Sequence, residues 1–335
     1  MPDALEVLPV QGIGRIQPDS DLAEAIVTAA PWLRDGDVLV VTSKIVSKSE
    51  GQLVDLPPDG PERDAAREQI LTEQTARPVA RRGPVRIVST HHGFVMAAAG
   101  IDNSNVDRSQ LVLLPKDPDA SARALRAALA ERYGLDVAVI ISDTMGRPWR
   151  TGLTDVALGA AGIAPILDHR GEGDPYGNEL QITQMAVIDE LSAAAELVKG
   201  KCDQVPVAVI RGYLERPTPE DGPGAAALIR DSAEDLFSLG TAEARSAGLW
   251  AAATLSDHAT GAAAAAEDLD RILVGVPLAP TTVAQTVPGN GIRCTTATDL
   301  MALGMDVHRI RCALAAEGIA SRLETDTDGV TILTN

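Results

Sequence analysis

The chain has 335 residues, 45% hydrophobic but only 2% aromatic, so its core must be packed from Ala, Val, Leu and Ile. Lys and Arg number 29 against 47 Asp and Glu, a net charge of −18 that repels nucleic acid and anionic lipid on average. Three cysteines without C-x-x-C spacing argue against zinc and disulfides, and the absence of a leader-like start or a long apolar span leads us to expect a soluble cytoplasmic protein.

In chain order, residues 6–10 read as a strand followed by the turn Gly12-Ile13-Gly14-Arg15. A helix is expected from about residue 20, with Leu22, Ile26 and Ala29 on one face, ending near Trp32. Residues 38–42 are a continuous apolar run, the mark of a strand covered on both faces, and lead into a polar stretch over 43–51. Residues 62–82 read as one helix carrying an island of five arginines, and 85–89 with 93–99 as two strands. A turn rich in oxygen ligands follows at 100–105. A helix over 120–132 ends at Tyr133-Gly134, and 137–142 is a second buried strand that delivers Asp143 to Arg150. A helix over 187–198 and a strand over 205–210 come next. Composition shifts near residue 246, which sets expected domains of 1–245 and 246–335. The second holds an Ala-rich helix over 251–266, a Pro/Thr loop over 277–288, a helix over 300–318 and a terminal hairpin.

Several nucleotide and nucleophile motifs are absent. The one Gly-Lys pair, Gly200-Lys201, lacks the rest of a Walker loop. The glycines around 171–177 miss a dinucleotide fingerprint by one residue, and no Gly-x-Ser-x-Gly elbow exists. His91 and His92, adjacent on a strand, point to opposite faces and read as ordinary surface histidines. What remains is a pattern of oxygen ligands and cations at strand ends. Asp102 and Asp143 each follow an apolar segment, with Asn105 and Thr144 beside them. Paired carboxylates of this kind suit hard divalent cations that bridge to phosphates. Arg147, Arg150, Arg211, Lys44 and Lys48 supply positive charge for an anionic substrate. The pattern describes a metal- and anion-binding α/β enzyme and names no substrate; taken singly, each residue also fits a turn, cap or solvated loop.

Three strings carry more. Residues 35–51 (DGDVLVVTSKIVSKSEG), 141–150 (ISDTMGRPWR) and 168–180 (DHRGEGDPYGNEL) resemble, in this order, the coenzyme F420-0:L-glutamate ligase (gamma-glutamyl ligase) family, and 198–212 fits as well. The resemblance covers about residues 5–245. It implies an α+β fold, the gamma-glutamyl ligase fold of mixed sheets with flanking helices, here followed by a small C-terminal helix–hairpin module. It implies GTP-dependent addition of L-glutamate to coenzyme F420-0, extension of the gamma-glutamyl tail, a pair of divalent ions (Mg2+ or Mn2+, with K+ a candidate further ion), and a homodimer. Matched residue by residue, Ile13, Gly14, Arg15, Ile16, Ser43, Lys48 and Asn105 fall on GTP-contacting positions. Asp102, Asp143 and Thr144 fall on metal ligands, and the loop 199–207 is a looser match. Asp143, Lys48 and Arg147 are the residues expected to carry catalysis. Chemically, GTP would phosphorylate the acceptor carboxyl to an acyl phosphate for attack by the glutamate amine, which needs no protein nucleophile. About 90 residues follow Arg245, too few for the flavin-binding nitroreductase-like domain fused in some relatives, so FMN is not expected. Two alternatives stay open: a related nucleotide-dependent amide ligase with another carboxylate acceptor, and a non-catalytic deazaflavin-binding module.

Overall fold

The apolar runs at 38–41 and 138–141 become the spine of the first part of the chain, where all eight residues have no solvent exposure. The computed structural model describes residues 4–102, 109–201, 203–231, 264–289, 291–317 and 319–334, with short stretches between 233 and 248. Contacts divide the chain into two units, Met1–Ser238 and Leu239–Asn335.

In the first unit, Glu6–Val10 (β1), Val207–Arg211 (β12), Val38–Thr42 (β2), Ala138–Arg147 (β8) and Arg150–Ala161 (β9) bond in that order into a five-stranded sheet. β2 and β8 run parallel; every other pair is antiparallel. Alternate side chains go to opposite faces. Leu39, Val41, Val139, Ile141, Val207 and Val209 pack under Leu22–Ala29 (α1), Ser43–Ser49 (α2) and Pro118–Tyr133 (α4). Val38, Val40, Ala138, Ile140, Ala208 and Ile210 pack against Val187–Lys199 (α5). Helices on both faces explain why these strands are apolar without alternation. α4 starts at a capping Asp117 followed by Pro118 and stops at Gly134, whose φ of 66° closes the last turn.

Around this sheet lie smaller pieces: Leu53–Asp55 (β3) pairs with Gln110–Val112 (β7), and Pro61–Glu73 (α3) precedes a three-stranded sheet of Thr75–Arg82 (β4), Val85–Thr90 (β5) and Val95–Ala97 (β6). Leu167–Asp168 (β10) and Gln184–Met185 (β11) form a two-residue ladder. The single helix expected over 62–82 is therefore a helix and a strand. Pro78 cannot sit inside a helix, and the β4–β5 ladder shifts register beside it. The polar stretch after β2 is helical, and β8 runs on past Ser142 to Arg147 because β9 supplies its ladder partner.

The second unit contains Ala266–Gly275 (α6), Thr282–Val287 (β13), Gly291–Thr296 (β14), Leu300–Ala316 (α7), Ser321–Thr325 (β15) and Val330–Thr334 (β16). The strands form an antiparallel sheet of order β13-β14-β16-β15, with Leu269, Ile272, Val307, Ile310 and Leu314 of the helices in the same core as Ile292 and Ile332. Half of the loop expected over 277–288 is strand, since Thr282–Val287 pairs with β14. Among the described residues a second hairpin, β13–β14, thus joins the terminal one expected. Most of the Ala-rich segment 251–266 lies outside the described residues. No helix among the described residues is long and apolar enough to cross a membrane.

α4 and β9 meet at Gly159, where a Cβ would lie 2.2 Å from the Pro118 carbonyl oxygen. Beside it the buried Asp119 accepts from the backbone N–H groups of Ala160 at 2.8 Å and Ala225 at 2.7 Å. Gly159→Ala is expected to cost about 1–3 kcal/mol, read as a lower urea midpoint, because backbone rather than a flexible side chain fills the space.

Candidate active site

β2 and β8 end at the same edge of the sheet, and α2 begins directly from the end of β2. Ligands of open α/β sheets bind at the carboxyl ends of parallel strands. A cleft of about 820 Å³ opens there. Its walls include Ile13, Gly14, Arg15 and Ile16 after β1, Thr42, Lys44 and Lys48 of the β2–α2 junction, Thr144 of β8, and Lys199, Gly200, Lys201, Gln204, Val205 and Pro206 after α5.

The end of β8 sends its polar side chains two ways. Ser142 and Thr144 continue the face of Ile140, toward α5, while Asp143 continues that of Ile141, toward α2. Asp143 is half-buried and accepts from the Thr144 N–H at 2.7 Å and from the Ser43 hydroxyl. Burial pushes its carboxyl up to about 6, with nearby Asp155 and Asp102 adding to the rise. Asp102 is fixed by a backbone clamp to Val112, with N–H···O distances of 3.0 and 2.8 Å, and its carboxylate meets Lys44 Nζ at 2.6 Å. One helical turn from Lys44, Lys48 is lowered below the usual lysine range by burial and by the charges of Lys44 and Arg15. Cations gathered closely enough to lower Lys48 gain by taking an anion between them.

Sequence reasoning passed over the best-ordered polar group here. Asp155 stands opposite Thr144 in the β8–β9 ladder. Its carboxylate accepts from Thr144 Oγ1 at 2.7 Å, Ser142 Oγ at 2.8 Å and Lys199 Nζ at 2.8 Å. Asp155 and Lys199 are each 2% exposed. Burial alone would raise the Asp155 carboxyl, but Lys199 and the two hydroxyls outweigh it and hold it below the ordinary range. Lys201, mostly exposed, donates to Thr144 Oγ1 from the cleft side. The signal that could have found Asp155 is a lone acid among the apolar and small residues of 153–161, but its partner Lys199 is 44 positions away.

The other expected site residues are spread more widely. Asn105 lies outside the described residues. Arg147 and Arg150 face each other at the exposed tip of the β8–β9 hairpin, beyond the cleft walls. Arg211 makes two 2.8 Å bonds to the buried Asp37 and lies 5.4 Å over the Trp32 ring, so its charge is committed to the fold. His91 and His92 each bond a backbone carbonyl.

Whether a divalent cation suits the site follows from its donors. Asp102 and Asp143 repel each other's charge, and Ser43 and Thr144 add neutral oxygens, an all-oxygen set that fits a hard cation. Among the described residues no three His, Cys, Asp or Glu converge as a metal group. Two protein carboxylates completed by phosphate oxygens and water are the usual ligation of Mg2+.

A profile of the family F420-0:Gamma-glutamyl ligase matches residues 12–212, which span the whole cleft. The chain therefore belongs to the F420-0:gamma-glutamyl ligase family. Among curated proteins it is 42% identical to the coenzyme F420:L-glutamate ligase of Methanothermobacter thermautotrophicus, over 70% of this chain and 98% of that one. It is 41% identical to the enzyme of that name from Methanopyrus kandleri (70% and 97%) and 39% to that from Haloarcula marismortui (69% and 95%).

Between pH 3.8 and about 6 the folded protein holds a proton on Asp143 that the unfolded chain releases. The penalty of ionising Asp143 is thus absent below that window and complete above it. In chelator, Asp143→Asn is expected to be more stable than the parent at pH 7 by on the order of 1 kcal/mol, the two converging near pH 4, as read by urea unfolding.

Proposed function

We propose that this chain is a GTP-dependent ligase that joins L-glutamate to coenzyme F420-0 and extends the tail through gamma-glutamyl amide bonds, with Mg2+ or Mn2+. The observation that carries the reading is the convergence of Arg15, Lys44 and Lys48 on a cleft beside Asp102 and Asp143, inside the family-matched region of a chain whose net charge is −18. The family's name supplies F420-0 as the acceptor, and the names of the relatives supply L-glutamate.

In this reading an oxygen of the acceptor carboxylate attacks the γ-phosphorus of GTP, the bond to the β–γ bridging oxygen breaks, and GDP leaves. The glutamate amine then attacks the resulting carbonyl carbon, inorganic phosphate leaves, and the amine gives up a proton to solvent or phosphate. The chain's own work is to hold two anions together. Residues 13–16 and Ser43 seat the nucleotide, with Asn105 assigned to the same task. Lys44 and Lys48 offset its phosphate charge. Arg147, farther out on β8, is assigned to the anionic acceptor. Asp102, Asp143 and Thr144 would hold the two divalent ions, which when bound neutralise phosphate charge as Lewis acids. The reading requires that water be kept from the acyl phosphate.

We also propose a homodimer, supported by the exposed apolar residues Trp149, Leu153, Tyr176 and Ile182, the last two about nine-tenths exposed. Sedimentation should then show a species of twice the chain's mass. Proposed localisation is cytoplasmic.

Incubated with F420-0, L-glutamate, GTP and Mn2+, the protein should give a mass ladder of glutamyl additions that vanishes without GTP or metal. Asp143→Asn should lose at least about 100-fold in rate while staying folded, and Lys48→Met should raise the KM for GTP about 10-fold or more. GTP hydrolysis without a ladder would point to another carboxylate acceptor, and no turnover of either kind would overturn the ligase reading.

A further inference from the structure

We propose that Asp155 is a positioning residue: anchored by Lys199, it takes the hydroxyl proton of Thr144 and leaves the lone pairs of that oxygen turned to the cleft as acceptors for a cation. The inference deepens the ligase reading and rests on it for the reaction served.

A threonine hydroxyl has one proton and two lone pairs, and an ionised carboxylate only accepts. Asp155 Oδ2 receives Lys199 Nζ and Ser142 Oγ at 2.8 Å each, so the carboxylate serves as an acceptor on every side. The 2.7 Å bond between Thr144 Oγ1 and Asp155 must therefore use the threonine's proton. Lys201, which has donors only, meets the same oxygen from the cleft side, as an acceptor requires. The backbone enforces the alignment. Thr144 and Asp155 are ladder partners, and the register shift that places Ser142 opposite Ala157, with Leu158 as the extra residue, puts the hydroxyls of Ser142 and Thr144 on one carboxylate. Lys199 ends α5 and leads into the cleft-lining segment, so the same ion pair ties that wall to β9. Stability alone gives little reason for the arrangement, because well-packed apolar residues commonly replace a buried ion pair without loss.

The test reads Mn2+ affinity of the full chain, by electron paramagnetic resonance of free Mn2+ with GDP present. Asp155→Asn and Thr144→Val should each weaken Mn2+ binding about 10–100-fold. The double variant should be no worse than the weaker single, since one residue acts through the other. If Asp155→Asn does not fold, the paired replacement Asp155→Leu with Lys199→Met leaves no buried charge and should show the same weakening. Affinity within about twofold of the parent in whichever variant folds, additive losses in the double variant, or no Mn2+ binding by the parent would each overturn the proposal. The two readings fail separately. A parent that makes no glutamyl ladder while the affinities shift as expected removes the ligase reading alone. A normal ladder with unchanged affinities removes the positioning role alone.

Discussion

The parallel pairing of β2 with β8 is the constraint on which the site depends. Parallel strands bring their carboxyl ends to one edge, and a sheet buried on both faces needs helices on both sides. α2 leaves β2 at that edge with Lys44 and Lys48 one turn apart, while β8 carries Asp143 and Thr144 past it. The chain after α5 closes the third side and returns as β12 next to β2. Charged groups from distant stretches of sequence are thereby placed around one cleft, and β2 and β8 contain no charge until they reach it.

Electrostatics at that edge run against those of the whole molecule. The net charge is −18, yet Arg15, Lys44 and Lys48 lie close enough to depress a lysine. The acids are graded by what faces them. Asp155 has an ammonium and two hydroxyls and is held ionised, whereas Asp143 has two hydrogen bonds, little water and other carboxylates nearby, and is pushed up. Asp102 shares its charge with Lys44. A site that gathers groups of both signs suits the proposed ligand, an anion accompanied by a cation.

Much of the sheet was legible because its signal is local. Uninterrupted apolar runs at 38–41 and 138–141, Asp117-Pro118 at one end of α4 and Gly134 at the other are each decided within a few residues. Elements whose identity depends on a partner were not. β4 continues a charged, helix-like pattern and is a strand because β5 pairs with it, although Pro78 gave warning. β13 hides among prolines and threonines until β14 pairs with it. The same division holds at the cleft. Ile13, Gly14, Arg15, Ile16, Lys48 and Thr144 all line one cleft, while Arg211 was offered as a substrate cation and is held by Asp37 instead. A guanidinium's partner is set by which carboxylate the fold buries beside it, and local sequence does not encode that.

The sequence by itself determined a low-aromatic core, two buried strands with polar residues at their ends, the family, and most of the cations that meet at the cleft. Only the tertiary structure decided which acid stands with which base. Asp155 and Lys199 are 44 residues apart, and the register of a β-hairpin and the packing of α5 bring them within 2.8 Å. Hydrophobic periodicity is written along the chain, because a strand or helix buries a face that its own spacing defines. A buried ion pair is not, because its energy comes from excluding water, and water is excluded only once the elements have packed.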